Sequence, residues 1–159
     1  MQHHFIVLLS GCGLGDGSCI EEVILTYLAL ERHGCSYIPV AHEKHCPSVN
    51  HITEQLEDER DLLTEAARLG RGRIQSLEGM SSRNAHGLII PGGLGLLRNY
   101  KNDHAVSSLV QAFLAEKKPV ATMCAGIDFL RGLLGSDLLS AEFPSVPADG
   151  VCREGSIFY

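Results

Sequence analysis

Short apolar runs of strand length alternate with longer amphipathic segments along most of the chain. Mostly apolar runs of four or five residues, typical of strands covered on both faces, lie at Phe5–Leu9, Gly87–Ile90 and Pro119–Met123. Cys35–Val40 is a further predicted strand, in which Pro39 indicates an end or an edge. Strands that alternate with helices predict βαβ units. We therefore expect an α/β fold with a doubly wound, mostly parallel sheet and helices on both faces.

Helical periodicity predicts the connecting segments. The first helix is expected from about Cys19 to His33, where Ser18 and Glu21 match the capping-box pattern and Gly34 stands at the expected end. Its predicted buried residues are Ile20, Val23, Ile24, Tyr27 and Leu28. The other predicted segments are a polar loop that ends near Gln55 and helices at Leu56–Leu69, Val106–Ala115 and Ile127–Leu134.

The last part of the chain has weaker patterns. Phe143–Gly150 is predicted to be irregular, and Val151–Tyr159 resembles a hairpin that stops without a closing helix. No internal repeat or second composition divides the sequence, so residues 1–159 are expected to form a single domain.

The amino-acid composition argues against several classes of binding partner and of cellular location. The net charge is −6, from 13 basic and 19 acidic residues, which argues against a nucleic-acid or anionic-membrane surface. No apolar run is long enough to span a membrane, and Met1–Phe5 lacks the basic start of a signal peptide. Six cysteines without a C-x-x-C pair match no disulfide framework, so we expect a reducing cytoplasm. The histidines around Pro47 lack ligand spacing, so no metal site is predicted.

The most informative stretch is Thr122–Gly126, which places Cys124 between a predicted strand and a predicted helix. Small neighbours allow a tight turn there, as in a nucleophile elbow with sulfur in place of a serine oxygen. The N-terminus of the following helix favours the thiolate, which predicts a lowered pKa for Cys124. The alternative is a buried structural cysteine.

Other polar and glycine positions also follow the carboxyl ends of predicted strands. Ser10–Ser18 contains four glycines, but their spacing matches neither dinucleotide nor Walker A loops. Glu22 lies beside the predicted buried stripe of the first helix, where a carboxylate is not expected unless it has a function. Because the carboxyl ends of parallel strands meet at one edge of a sheet, these positions can converge on Cys124. Gly13, Asp16 and Gly92 are therefore candidate substrate-binding residues.

Together these residues resemble a known family. Ile89–Gly93, Cys124–Gly126 on the elbow and Glu22 are similar to the ThiJ/PfpI superfamily of class I glutamine amidotransferase-like proteins, which have a flavodoxin-like fold. Within it, Leu9–Ser18 and the segment from Asn50 to Gly72 resemble the ElbB branch, named for enhancing lycopene biosynthesis. The resemblance covers about Phe5 to Leu134.

The resemblance implies roles for individual residues. Cys124 would be the nucleophile and Glu22 its protonated carboxyl partner, and the amides of Gly93 and Ala125 would form the oxyanion hole. It also implies a homodimer and a cofactor-free glyoxalase activity on a small 2-oxoaldehyde, as in conversion of methylglyoxal to lactate. ElbB relatives are further linked to isoprenoid production.

The chain also departs from the family pattern. The branch usually carries Glu at position 19 and Ala-Pro after the elbow, where this chain has Cys19, Gly126 and Asp128. No histidine follows His104, which excludes the Cys-His-Glu triad of a glutaminase. The family's closing helix is expected to be absent. Two alternatives to the enzyme therefore stay open: a redox sensor that oxidises Cys124 to a sulfinic acid held by Glu22, and a fold relic without turnover.

Overall fold

The computed structural model describes residues 2–135 and 150–159. The strands are β1 (His4–Leu8), β2 (Ser36–Ala41), β3 (His45–Val49), β4 (Leu56–Asp61), β5 (Gln75–Ser76), β6 (Gly87–Ile90), β7 (Val120–Thr122), β8 (Arg153–Glu154) and β9 (Ile157–Phe158). The helices are α1 (Ile20–Arg32), α2 (Leu62–Ala67), α3 (Gly95–Asn99), α4 (His104–Ala115) and α5 (Ala125–Leu134), with a 3-10 turn at Ser82–Asn84.

Seven strands form one sheet in the order β5-β2-β1-β6-β7-β9-β8. All neighbouring pairs in it are parallel except β8 and β9, which form the predicted terminal hairpin. Helix α1 connects β1 to β2 on one side of the sheet, and α4 connects β6 to β7 toward the other side. Because both crossovers are right-handed, the two helices lie on opposite faces. The doubly wound α/β prediction is confirmed, and the switch point lies between β1 and β6, where such sheets bind ligands.

The core lies between the sheet and its helices. Ile6–Leu9, Leu88 and Ile90 are fully buried, as expected for strands covered on both faces. On α4 the predicted apolar stripe is buried and ends at Phe113, which is fully enclosed. Pro39 lies at an edge of the sheet, as predicted, because β5 pairs only with the two residues of β2 that follow it.

The segment between β2 and α2 differs from the prediction. His45–Val49, expected in a loop, pairs antiparallel with Leu56–Asp61, expected in a helix. The helix begins only at Leu62, after Asp61 caps it by accepting a hydrogen bond from the Thr64 amide at 2.6 Å. The cause is visible in β4, whose side chains are nearly all exposed and charged, so its sequence contains no apolar period. A short helix, α3, was not predicted.

On α1 the predicted boundaries are correct, but the predicted buried face is correct only for Val23 and Tyr27. Val23, Thr26, Tyr27 and Leu30 are buried, whereas Ile20, Ile24 and Leu28 are 41–49% exposed. The predicted capping box is also absent. Cys19 caps the helix without a side-chain bond, and the Ser18 hydroxyl instead accepts from the Ser10 amide at 2.9 Å. The Ser18 hydroxyl therefore stabilises the turn of the glycine loop, which comprises residues 10–18, and does not cap α1.

Two further expectations concern the ends of the chain and its location. The irregular segment predicted at Phe143–Gly150 lies outside the described residues as far as residue 149. Among the described residues, no helix has the length and hydropathy needed to cross a membrane. The cytoplasmic location stays a prediction.

Candidate active site

Cys124 lies on the turn between β7 and α5, as the sequence predicted. Its backbone has φ 52° and ψ −128°, in a region that residues other than glycine rarely occupy. The next turn is closed by the Gly126 amide, which donates to the Met123 carbonyl at 2.9 Å. Because Cys124 is exposed while β7 behind it is largely buried, the sulfur is presented at the end of the sheet as in a nucleophile elbow.

Glu22 reaches the elbow from the first turn of α1. Its Oε2 atom accepts a hydrogen bond from the Gly92 amide at 2.6 Å. A Cβ atom added to Gly92 would lie 2.6 Å from that oxygen and 2.8 Å from the Cβ of Cys124. The carboxyl group and the thiol-bearing side chain are thus brought together across a position that only glycine can occupy.

The amides of Gly93 and Ala125 lie at the same place. Gly93 has φ +117°, and a Cβ atom there would overlap the Gly17 carbonyl oxygen. Within the described residues, the Gly93 amide donates to no other group. The Ala125 amide, at the N-terminus of α5, hydrogen-bonds the Cys124 sulfur. The oxyanion-hole role of these two amides stays a prediction.

The protonation of Cys124 differs from the sequence-based prediction. Its pKa is raised rather than lowered. Although the residue as a whole is exposed, its sulfur is partly removed from water, and this desolvation is the largest cause because it disfavours the charged form. The hydrogen bond from the Ala125 amide lowers the pKa, but the nearby carboxylates of Glu22 and Asp128 raise it. At neutral pH the group is therefore mainly a thiol.

Gly13 and Asp16 contact a different part of the molecule. Asp16 Oδ2 accepts from the Val49 amide of β3 at 2.7 Å. A Cβ atom on Gly13 would lie 2.8 Å from Asp16 Oδ1 and 2.9 Å from the His51 ring. These contacts tie the glycine loop to the β3–β4 hairpin, and a role for both residues in substrate binding stays a prediction.

Asp128 is a site residue for which the sequence analysis proposed no role. It lies in the first turn of α5, four residues after Cys124, and its negative charge acts on the Cys124 sulfur. That spacing was readable from the sequence once the helix start was known. Within residues 2–135 and 150–159, no group of three His, Cys, Asp or Glu side chains could hold a metal ion.

Comparison with curated proteins gives relatives among mitochondrial proteins. No protein-family model matches the chain. It is 30% identical over 133 residues to the human glutamine amidotransferase-like class 1 domain-containing protein 3, covering 74% of this chain and 49% of that protein. It is 29% identical over 131 residues to the rat ES1 protein homolog, with the same coverage. The chain thus spans about half the length of the curated relatives it matches.

Solved structures share the fold over nearly the whole chain. An isoprenoid biosynthesis protein with an amidotransferase-like domain from Ehrlichia chaffeensis is 26% identical, with a TM-score of 0.86 over 98% of this chain and 86% of that chain. A ThiJ/PfpI domain protein from Brachyspira murdochii is 14% identical, with a TM-score of 0.60 over 98% of this chain and 83% of that chain. The second likeness concerns the fold alone.

Proposed function

We propose that the chain is a member of the ThiJ/PfpI superfamily of class I glutamine amidotransferase-like proteins, and that it is an ElbB-type, cofactor-independent glyoxalase acting on small 2-oxoaldehydes such as methylglyoxal. The observation that carries the proposal is the meeting of Cys124 and Glu22 at Gly92. The Ehrlichia protein, named for isoprenoid biosynthesis, supports the ElbB branch.

The first step is attack of the Cys124 sulfur on the aldehyde carbon. The C–S bond forms and the carbonyl π electrons move to oxygen, which the amides of Gly93 and Ala125 stabilise by about 3 kcal/mol per donor. Because the pKa of Cys124 is raised, the sulfur must lose a proton as it attacks. The Glu22 carboxylate accepts this proton and returns it to the oxyanion, which gives a neutral hemithioacetal.

The second step is an internal proton transfer. Glu22 removes the hydrogen on the former aldehyde carbon, which gives an enediolate, and the hydroxyl proton on that carbon passes to the neighbouring oxygen. Glu22 then delivers its proton to the neighbouring carbon. The first carbon is thereby oxidised to a thioester and the second is reduced to an alcohol. Water then cleaves the thioester, releases lactate and returns a hydrogen to the sulfur, so that methylglyoxal and water give lactic acid.

The position of Glu22 beside the thiol suits the enzyme better than the redox sensor. Sensor cysteines oxidise through their thiolate, which is scarce at neutral pH when the pKa is high. An enzyme with a base beside the thiol does not need a standing thiolate, since it can transfer the proton during attack.

The decisive experiment measures lactate formed from methylglyoxal by the purified protein. We expect lactate from the wild type and none above background from Cys124→Ser or Glu22→Gln. In Glu22→Gln the amide oxygen still accepts from Gly92, but a negative charge is removed, so the pKa of Cys124 falls and its alkylation by iodoacetamide becomes faster at neutral pH. Cys35→Ser, a change at a partly exposed cysteine after α1, is the matched control and should retain activity.

Other outcomes would overturn the proposal. Equal lactate formation by the wild type and Cys124→Ser would show that Cys124 is not the nucleophile. Absence of lactate together with a peroxide-induced sulfinate on Cys124, less stable in Glu22→Gln, would favour the sensor. Absence of both would leave a fold relic.

We also propose that a second copy of the chain covers α1. Ile20, Ile24, Leu25 and Leu28 are 41–62% exposed on this helix, which is a contiguous apolar stripe. Sedimentation should give a dimer that Ile24→Glu converts to a monomer. Leu56→Glu, at an apolar residue of β4 that is 62% exposed, should leave the dimer intact. A wild-type monomer at high micromolar concentration would contradict the proposal.

A further inference from the structure

The charged side chains that act most strongly on the Cys124 sulfur are both carboxylates. Glu22 lies across Gly92, and Asp128 lies one helical turn along α5. Each makes formation of negative charge on the sulfur less favourable. A substrate that approaches this sulfur therefore meets two carboxylates, of which Asp128 is paired with Arg131.

Asp128 also lines a groove beside α5. Its side chain is 66% exposed and is held by Arg131, whose Nη1 atom lies 3.4 Å from Oδ1. A cleft of about 660 Å³ between α3, α4 and α5 begins at Asp128 and continues past Phe129 and Leu133. Its opposite wall is formed by Leu96 and Leu97 of α3.

The cleft changes character along its length. Near Asp128 its walls are apolar, from the leucines of α3 and the phenyl ring of Phe129. At the connection between α3 and α4 it is lined by Lys101 and His104. The apolar part of the cleft beside Asp128 offers a surface for an apolar substituent of a substrate whose reacting carbon is at Cys124.

The two carboxylates affect charged and uncharged substrates differently. Two unit charges at about 4 Å in water repel by roughly 1 kcal/mol, and the repulsion grows where water is partly excluded. An anionic substrate experiences this repulsion on approach, and attack by sulfur then adds a further negative charge on oxygen. An uncharged substrate experiences it only in the second stage, where the Gly93 and Ala125 amides offset it.

On the premise of the glyoxalase function, we propose that the Cys124 site selects uncharged 2-oxoaldehydes with apolar substituents, excludes anionic ones, and uses Asp128 as the specificity-determining residue. Asp128 does not contact the reacting atoms in this scheme. It acts through the electrostatic potential at the sulfur and at the mouth of the cleft.

The test compares alkylation of Cys124 by iodoacetamide, which is uncharged, and iodoacetate, which is anionic, followed on the Cys124 peptide by mass spectrometry. Because both reagents react with the thiolate, the fraction of thiolate cancels when the two rates are divided. In Asp128→Asn we expect the preference for iodoacetamide to fall about two- to five-fold, the effect of one nearby charge at a partly exposed site. Asp128→Glu, which keeps the charge, and Asp58→Asn, which removes an exposed charge on β4, should keep the wild-type ratio.

Salt supplies a second measurement on the unmodified protein. At about 1 M salt the Debye length falls to about 3 Å, so the wild-type preference should shrink toward that of Asp128→Asn. An unchanged ratio in Asp128→Asn, or a wild-type ratio that salt does not alter, would overturn the assignment of Asp128.

Substrate kinetics separate this proposal from the function on which it rests. If lactate forms, kcat/KM for phenylglyoxal relative to 4-carboxyphenylglyoxal should fall in Asp128→Asn by the same two- to five-fold range, about one charge's effect. An alkylation ratio that depends on Asp128 without any turnover would refute the glyoxalase and retain charge selection at Cys124. Turnover with a substrate preference that Asp128→Asn leaves unchanged would retain the glyoxalase and refute the selection.

Discussion

Two regions at the carboxyl ends of the strands acquire their shape in different ways. The elbow region, which comprises β7, Cys124, Gly126 and Gly92–Gly93, is held by close backbone packing that admits no extra side-chain atoms. The hairpin region, which comprises β3, β4 and the turn between them, is held by hydrogen bonds from polar side chains. The comparison shows that a site built on glycines and apolar strands leaves a recognisable sequence pattern, whereas anchoring by polar side chains leaves none.

The contacts of the hairpin region illustrate the second case. Asn50 Oδ1 accepts from the amides of Ile52 and Thr53 at 2.9 and 3.2 Å, which shapes the turn. The Ser48 hydroxyl donates to the Asp58 carbonyl across the pair at 2.9 Å. Each bond is modest, about 1 kcal/mol, so the hairpin is stabilised by their sum and by its attachments to the rest of the domain.

The largest expected effect is in the elbow region. A Cβ atom on Gly126 would overlap Thr122 Oγ1, which donates to the Ile90 carbonyl at 2.9 Å and cannot easily move. Gly126→Ala should therefore lower the free energy of unfolding by about 3 kcal/mol, as overpacking does in a closed core. Urea denaturation measures the loss.

The same helix supplies the matched control. Gly132 has open space around its Cβ position, so Gly132→Ala should raise stability by about 0.5–1 kcal/mol through helix propensity. In the double variant Gly126→Ala with Thr122→Ala, the overlapping oxygen is gone, and the loss should be smaller than the sum of the single losses. Strict additivity would show that the overlap is not the cause.

The difference between the regions explains what the sequence could predict. The strands, the elbow and the approach of Glu22 to Cys124 follow from apolar runs and from their ends at one edge of a parallel sheet. The buried face of α1 could be assigned only in part, because Ile20 and Ile24 are as apolar as Val23 and only the packing decides which of them faces inward. The predicted direction of the Cys124 pKa is wrong because the helix N-terminus is outweighed by desolvation of the sulfur and by the nearby carboxylates, including Asp128.

β4 was missed for a related reason. Its sequence from Leu56 to Asp61 is almost entirely charged, and its residues are exposed, so no hydrophobic period marks a strand. The strand exists because its backbone pairs with β3, in which Cys46 and Val49 are buried. A pairing between two segments is not visible in either segment alone.

A smaller effect is expected where the hairpin region joins α4. Asp103 is buried, caps α4 through the Val106 amide at 3.1 Å, and accepts from His42 at 2.8 Å and from Lys44, just before β3, at 3.3 Å. Asp103→Ala should cost about 2 kcal/mol at neutral pH, since it removes a helix cap and bonds to a charged group.

This contribution should depend on pH. Burial alone raises the pKa of Asp103, but the bonds from His42, Val106 and Lys44 outweigh burial and lower it. The stabilisation is therefore present above the unfolded pKa of about 3.9 and is lost as the pH falls through the lower folded value. Thermal melts should show the wild type and Asp103→Ala converging below about pH 4, the unfolded pKa range. A difference that stays constant down to lower pH would contradict this role.

The smallest effect is expected at Asp16, and it decides to which region the glycine loop belongs. Asp16→Ala removes the 2.7 Å bond from the Val49 amide, which alone would cost about 2 kcal/mol. Asp16 Oδ1, however, is buried and has no hydrogen-bond partner among the described residues, so its removal also relieves a desolvation cost. We expect a net loss of about 1 kcal/mol in urea denaturation, with the rate of Cys124 alkylation unchanged. If Asp16 only anchors the hairpin, KM for methylglyoxal also stays the same in the variant. A raised KM with unchanged stability would instead assign Asp16 to the substrate site, and would make the glycine loop part of the elbow region.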